Sequence, residues 1–440
     1  MTGHAFLQRL AAADLVGRTG RVRRITPTFI EADGPDLPLG ALCAIEDRSG
    51  PERPAVLAQV VGVQRETVAL APLDPTKGVV SGARVTALAE ADRVAVGDAF
   101  LARAVDALGR PIDGAGPVRA SRFDPMTPAE GSPLDRAAPD QVLETGVRAI
   151  DTLLTLVRGG RIGVFAASGV GKTTLMTQLA QQVGADRCVI CLVGERGREV
   201  EALWSRDLSP EAKAKTVLVA ATSDQTAAMR VRAVDYALAL AEAWRRDGKH
   251  VLLLLDSMTR YAMALREIGL AAGEPPTVRA YTPGVFAAIP RIVERCGAWK
   301  SGGAISAVMT VLSESDEIDD PISEMMKSLL DGHILLARPL AEKGHFPAID
   351  APRSISRLAT ALRSPAQQAL AAEASARLSV YEASRLLIET GVYVRGGDPA
   401  IDRAIASQPA LMQVLQQRPD ERISLASSFE SLAAALQGSL

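Results

Sequence analysis

Ala166-Ala167-Ser168-Gly169-Val170-Gly171-Lys172-Thr173-Thr174 decides how the rest of this chain is read. It closes an apolar run, Ile162 to Ala166, and opens a stretch with Leu175, Leu179 and Val183 at helical spacing. The order predicts a strand, a tight loop and a helix. Gly169 and Gly171 allow backbone conformations and a close approach that a side chain would obstruct. Consecutive amides from Ser168 through Thr174, Val170 included, then face phosphate oxygens, and the helix adds its positive end. Lys172 is placed to reach the β- and γ-phosphates of a nucleoside triphosphate, and the Thr173 hydroxyl to coordinate Mg2+. The usual spacing asks for glycine where Ala166 stands, so the loop needs support from elsewhere in the chain.

Two strand ends supply it. Val251-Leu252-Leu253-Leu254-Leu255-Asp256 puts a carboxylate at the tip of a buried strand, where ligands of open α/β sheets bind. An aspartate there often only caps the next turn; beside the upstream loop, Asp256 reads as a Mg2+ ligand through its water shell. Gly194-Glu195-Arg196-Gly197-Arg198-Glu199 follows a third apolar run, Cys188 to Val193. Residue types alone would make it a solvated charge cluster. At a strand tip near a triphosphate, Glu195 is placed to orient and polarise an attacking water, since phosphoryl transfer needs positioning more than strong base chemistry.

The chain has 440 residues, more than one core normally serves, and so predicts two or three domains. A formal charge of −2 argues against a dominant polyanion-binding surface and, with 4% aromatics, against nucleic acid as a partner. The longest aliphatic run, Val251 to Leu255, is far short of the roughly 20 residues that span a bilayer. Met1 to Leu15 carries no secretory signal pattern, which makes a cytoplasmic location the expectation. Cys188 and Cys191 form a CxxC, but positions i and i+3 of a strand face opposite sides, so they read as core residues. The histidines, His4, His250, His333 and His345, have no zinc-like spacing.

Short β-rich runs separated by turns (Gly20 to Ile25, Ala41 to Ile45, Val56 to Val63, Thr67 to Ala71) predict a small barrel over 16–90. Residues 4–15 fit a short helix with Phe6, Leu7 and Leu10 on one side, and 1–15 is either a frayed terminus or a docking segment. Residues 110–140 are a Pro/Gly/Asp-rich connection. Over 91–363, strand candidates alternate with helical stretches, the pattern of a parallel sheet with crossover helices. Ser364-Pro365 is an N-cap with proline at N1, and 364–440 reads as helical over 365–390 and 399–437, broken at Gly396-Gly397-Asp398-Pro399.

The order of motifs resembles the catalytic-subunit branch of rotary ATPases, and most closely the ATPases of bacterial type III export. The resemblance runs from about Arg18 to Asp402. It rests on Val105-Asp-Ala-Leu-Gly-Arg-Pro-Ile-Asp-Gly114, Thr145-Gly-Val-Arg-Ala-Ile-Asp151, the phosphate loop, Gly194 to Glu199, and Asp256-Ser-Met-Thr-Arg260. It continues through Arg266 to Pro276, Ser328-Leu-Leu-Asp-Gly-His333 and Ser354-Ile-Ser-Arg357. The resemblance implies an α/β fold: a RecA-like P-loop core between an N-terminal β-barrel and a C-terminal helical domain, assembled as a homohexamer. It implies that Glu195 is the catalytic glutamate, Arg196 its neighbouring phosphate-region arginine, and Arg357 an arginine finger acting on the adjacent subunit's site. It places Phe346 where an aromatic packs on the adenine. It further implies a stator-like regulatory protein at the N-terminal segment, a central stalk protein, export chaperones and substrates, and a membrane export gate at the cytoplasmic face of the inner membrane. Three departures are visible: Ala167 and Thr173 stand where glycine and serine are more usual, and Lys327 where arginine is. Neither loop change removes a phosphate or magnesium contact.

Competing readings fare worse. A rotary synthase catalytic subunit should carry an acidic torque motif, and 365–440 has no such run. A non-catalytic synthase subunit would lack Glu195, a helicase of the superfamily would want stacking aromatics, and a scaffold would not need Glu195 and Arg357 together. The motifs are shared by flagellar and injectisome ATPases; overall similarity favours the flagellar branch, with the injectisome as alternative.

Overall fold

Seven consecutive-register strands of the core are apolar almost throughout, which is what a sheet covered on both faces requires. The computed structural model describes residues 17–26, 28–49, 54–88, 92–127, 131–312 and 320–437; the expected docking segment at 1–15 lies outside them. Its main sheet has nine strands, with Arg161–Ala166 flanked by Ala304–Leu312 on one side and Gly332–Leu336 on the other. Beyond Ala304–Leu312 come His250–Asp256, Arg187–Val193, Thr216–Ala221 and Arg103–Val105, all parallel. The far edge is the short antiparallel strand Ile355–Ser356.

Alternation divides each strand between two cores. Cys188, Ile190 and Leu192 join one apolar cluster; Val189, Cys191 and Val193 join the other. The two cysteines therefore lie on opposite faces, both fully buried and free. Burial alone pushes the Cys188 thiol up to about 12. Among the described residues no group of three His, Cys, Asp or Glu is placed to hold a metal.

Ahead of the core, Thr19–Ile25, Ile30–Ala32, Val68–Pro72, Val56–Val63, Leu42–Ile45 and Arg84–Ala87 close into a six-stranded barrel. Its inside is the period-two set Val56, Ala58 and Val60 with Val22, Ile30, Ile45, Leu70 and Val85. After the core, Ser364 caps the helix Pro365–Glu389 in a capping box with Gln367. The continuous helical stretch expected over 399–437 is instead two helices, Pro399–Leu415 and Leu425–Gln437. Pro419 cannot donate within a helix, and Gln416 and Gln417 spend their polar groups on the core rather than on helix continuation. No helix among the described residues is long and apolar enough to cross a membrane.

Candidate active site

Parallel strands end on the same side, so three sequence-distant strand tips meet. The phosphate loop leaves Ala166 and enters the helix Lys172–Gln182 through Gly171, which takes a left-handed φ of 94°. Gly169 does the same at 82°. Val170 is buried and pins the loop to the core, while Ser168, Thr173 and Thr174 are exposed at its mouth. No side chain caps this helix, and the amides of its first turn have no intrahelical acceptor. An eleven-residue helix with an uncapped start and its dipole aimed outward fits a phosphate group.

Lys172 Nζ lies 2.5 Å from Asp256 Oδ1 and 3.4 Å from Glu195 Oε1. All three side chains are nearly buried. Asp256 Oδ1 also accepts a hydrogen bond from the Thr310 hydroxyl at 2.6 Å, from the strand lying between those of Asp256 and the loop. The lysine is thus held between two carboxylates. The Glu195 carboxyl is raised above the ordinary glutamate range, first by burial and then by a hydrogen bond with Glu199, while Lys172 and Arg260 oppose the rise.

Gly194, at φ 70°, lets the backbone before Glu195 pass close to Arg260: a β-carbon there would stand 3.2 Å from Arg260 Cβ. Arg260 Nε is buried without a hydrogen-bond partner, an orphaned donor beside the glutamate. Sequence reasoning quoted Arg260 within a motif but gave it no place in the site. Its signal was the position, in the first turn of the helix Met258–Ala271 that Ser257 caps directly after Asp256. Thr310 was missed as well; a hydroxyl inside the apolar run Ala304–Leu312 was the available sign.

Phe346 sits over the loop, its ring 3.5 Å from where a Gly171 β-carbon would be, and it is 40% exposed. Arg196 and Arg357 are not brought to this cluster. Arg196 stands just before the short helix Gly197–Ala202 without capping it through its side chain, and is largely exposed, its nearest acid Glu199 at 4.0 Å. Arg357 is exposed beyond the edge strand, its side chain donating to the Lys327 carbonyl at 3.1 Å.

Comparison with known proteins completes the picture. Residues 146–356 match the ATP synthase alpha/beta family nucleotide-binding domain, and 363–434 the T3SS EscN ATPase C-terminal domain. The flagellum-specific ATP synthase of Salmonella typhimurium is 42% identical over 435 residues, 97% of this chain and 95% of that protein. The chain belongs to the flagellum-specific ATP synthase and type III secretion ATPase family. The SPI-2 type 3 secretion system ATPase of the same organism is 43% identical over 406 residues, 92% of each. The assembled ATPase EscN of enteropathogenic E. coli superimposes with a TM-score of 0.89 at 38% identity, covering 95% of this chain and all of that one. EscN has also been solved in complex with its central stalk EscO, with a TM-score of 0.85 at 38% identity and the same coverage of both chains. Membership in this ATPase family makes ATP the substrate and hydrolysis the reaction.

Proposed function

We propose that this chain is the ATPase of a flagellar type III export apparatus, using ATP hydrolysis to release chaperones from export cargo and to unfold it. The observation that carries the catalytic part is the convergence of Lys172, Glu195 and Asp256 at three neighbouring strand ends. In this reading the loop amides of Ser168 to Thr174 and Lys172 hold the triphosphate, and Phe346 packs on the adenine. Glu195 accepts a hydrogen bond from the attacking water and orients it in line. Arg260 supplies further positive charge beside Glu195; the resemblance gives Arg196 the same role, although its exposed side chain is turned to Glu199 and not to the cluster. Bound Mg2+, held by Thr173 and through water by Asp256, neutralises charge on the phosphate oxygens; few protein ligands and several waters suit that ion.

Arg357 points to assembly. It is fixed at the opposite pole of the sheet from Lys172, so it serves a neighbouring subunit's site, and a closed ring of identical chains completes every site. We take that ring to be a homohexamer threaded by a central stalk protein, as EscN associates with EscO. The ring docks at the cytoplasmic face of the inner membrane beside the export gate, with a stator-like protein at the N-terminal segment. The domain limits proposed are 16–90, 91–363 and 364–440. The flagellar branch is favoured by alignment with its Salmonella relative over 435 residues. Deleting the gene and scoring swimming against effector secretion tests it: loss of motility with secretion intact is expected, and the reverse makes the chain an injectisome ATPase.

A further inference from the structure

The break between the last two helices is built into the nucleotide-binding end of the core. Gln417 donates its main-chain N–H to the Phe346 carbonyl at 2.8 Å, and Gln416 Nε2 donates to the Gly344 carbonyl at 3.1 Å. These two bonds grip the loop that carries Phe346 from the side of the C-terminal helices. Gln417 is 4% exposed, and each polar atom of its side chain has a partner. Its Oε1 accepts from the Arg148 N–H at 2.9 Å, and its Nε2 donates to the carbonyls of Gly146 and Glu421, both at 2.7 Å.

What Gln417 is bolted to is rigid. The Asp151 carboxylate accepts from the amides of Thr145 and Gly146 and from the Thr145 hydroxyl, all buried. The Arg148 guanidinium returns to the carbonyls of Val414 and Gln416. The helix that begins at Lys172 also ends on this stretch, with Gln182 Nε2 donating to the carbonyls of Pro419 and Glu421. Residues 416–421 therefore hold the main chain of Phe346 near the start of the phosphate-loop helix and the last turn of that helix at its other end.

We propose that Gln417 is a positioning residue for the base of the nucleotide: its buried amide locks the 416–421 stretch to Gly146 and Arg148, so that its main-chain N–H holds Phe346 over Gly171. The inference rests on the reading of Phe346 as the aromatic that packs on adenine. The loop is tied to the core on either side of the ring, with the His345 N–H donating to the Leu340 carbonyl at 3.0 Å and the Ala337 N–H to the Ala348 carbonyl at 2.8 Å, but at Phe346 itself the grip comes from the C-terminal segment. Base stacking is made equally in the ground and transition states, so loosening it raises KM without lowering kcat. Only a primary amide serves here, because the site needs one acceptor and two donors.

The test uses the full-length assembled enzyme. Gln417→Met keeps the volume and removes the amide; Gln417→Glu keeps the acceptor and removes both donors. Each is expected to raise KM for ATP about 5- to 10-fold with kcat within about twofold. Inhibition by inorganic tripolyphosphate, which has no base, is expected to stay unchanged. Phe346→Ala should raise KM similarly, and the double variant no further than either alone. If Gln417→Met lowers kcat in step with lost folded protein while KM holds, the residue is merely structural and the inference fails. If tripolyphosphate inhibition weakens alongside KM, the effect runs through the phosphate loop and the inference also fails. If Phe346→Ala leaves KM unchanged, it is the adenine reading that is wrong. Gln416→Ala, which removes the second grip from an exposed position, gives a variant that folds; about a twofold rise in KM is expected, and no rise counts against the proposal.

Discussion

Lys172 and Arg357 are fixed at opposite ends of one strand. Lys172 follows the C-terminal end of Arg161–Ala166 by way of the phosphate loop. The Arg357 amide donates to the Asp331 carbonyl at 2.9 Å, and the Asp331 carboxylate accepts from the Arg161 amide at 2.9 Å, at the N-terminal end. Six residues of strand separate them by about 16 Å, too far for one guanidinium to serve both ends.

Lys172→Ala and Arg357→Ala are therefore each expected to be nearly inactive alone and to complement each other when mixed. At equal mixing, about one interface in four pairs an intact Lys172 with an intact Arg357, so activity should recover to at most about a quarter of wild type. Steady-state hydrolysis on co-assembled rings measures this. Absence of recovery, with mixed assembly confirmed, means that the finger does not act across the interface.

Glu195→Gln should keep ATP binding within a few-fold and lose turnover by about 10²- to 10⁴-fold. The carboxylate is the working form, and burial and Glu199 raise its pKa. The acid limb of the kcat/KM profile should accordingly lie above the ordinary glutamate range. Glu199→Gln removes a neighbour that disfavours the anion, so the limb should move to lower pH. A limb that stays put, or moves up, assigns the acid limb to another group.

Asp256 accepts from both Lys172 and Thr310 through the same oxygen, Oδ1, and no hydrogen bond to Oδ2 is formed among the described residues. Asp256→Asn should raise the Mg2+ concentration needed for half-maximal hydrolysis by about tenfold, the loss of one charge-assisted contact. ATP with Mg2+ should raise the thermal midpoint of the wild-type chain, and a chelator should cancel most of that rise. A chelator-insensitive midpoint would remove Mg2+ from the site.

Lys172, Glu195 and Asp256 were legible because each follows an apolar run of strand length, and parallel pairing brings such ends together whatever their separation in sequence. Arg103–Val105 was not legible, since three residues carry no periodicity and tertiary pairing with Val217–Val219 makes the strand. The break at 416–424 was missed for a related reason. Helical apolar spacing resumes at Leu425, so only Pro419 marked the gap, and the side chains that exploit it find their partners some 270 positions away, as in the bond from the Gln417 amide to Gly146. The pole at which Arg357 stands came from the short antiparallel return of Ile355–Ser356, a pairing that no local pattern encodes.

Behind the site, Arg295 joins the helices that support the strand of Asp256. Its Nε and Nη2 bond Glu242 at 2.8 and 3.0 Å, Nη1 bonds Asp235 at 3.0 Å, and Nη2 also reaches the Met126 carbonyl at 2.9 Å. Arg295 and Glu242 are almost wholly buried. Arg295→Met keeps much of the apolar stem but strands Glu242 without its cation, and breaking a buried pair from one side costs about 3–5 kcal/mol. The variant should unfold at clearly lower urea, read by circular dichroism. Arg295→Met with Glu242→Leu removes both charges of that pair and should recover the part of the loss due to Glu242, while Asp235 keeps its charge and still lacks its Arg295 contact. Near-equal midpoints for wild type and the single variant would mean that solvent already reaches the pair and that this network does not brace the core.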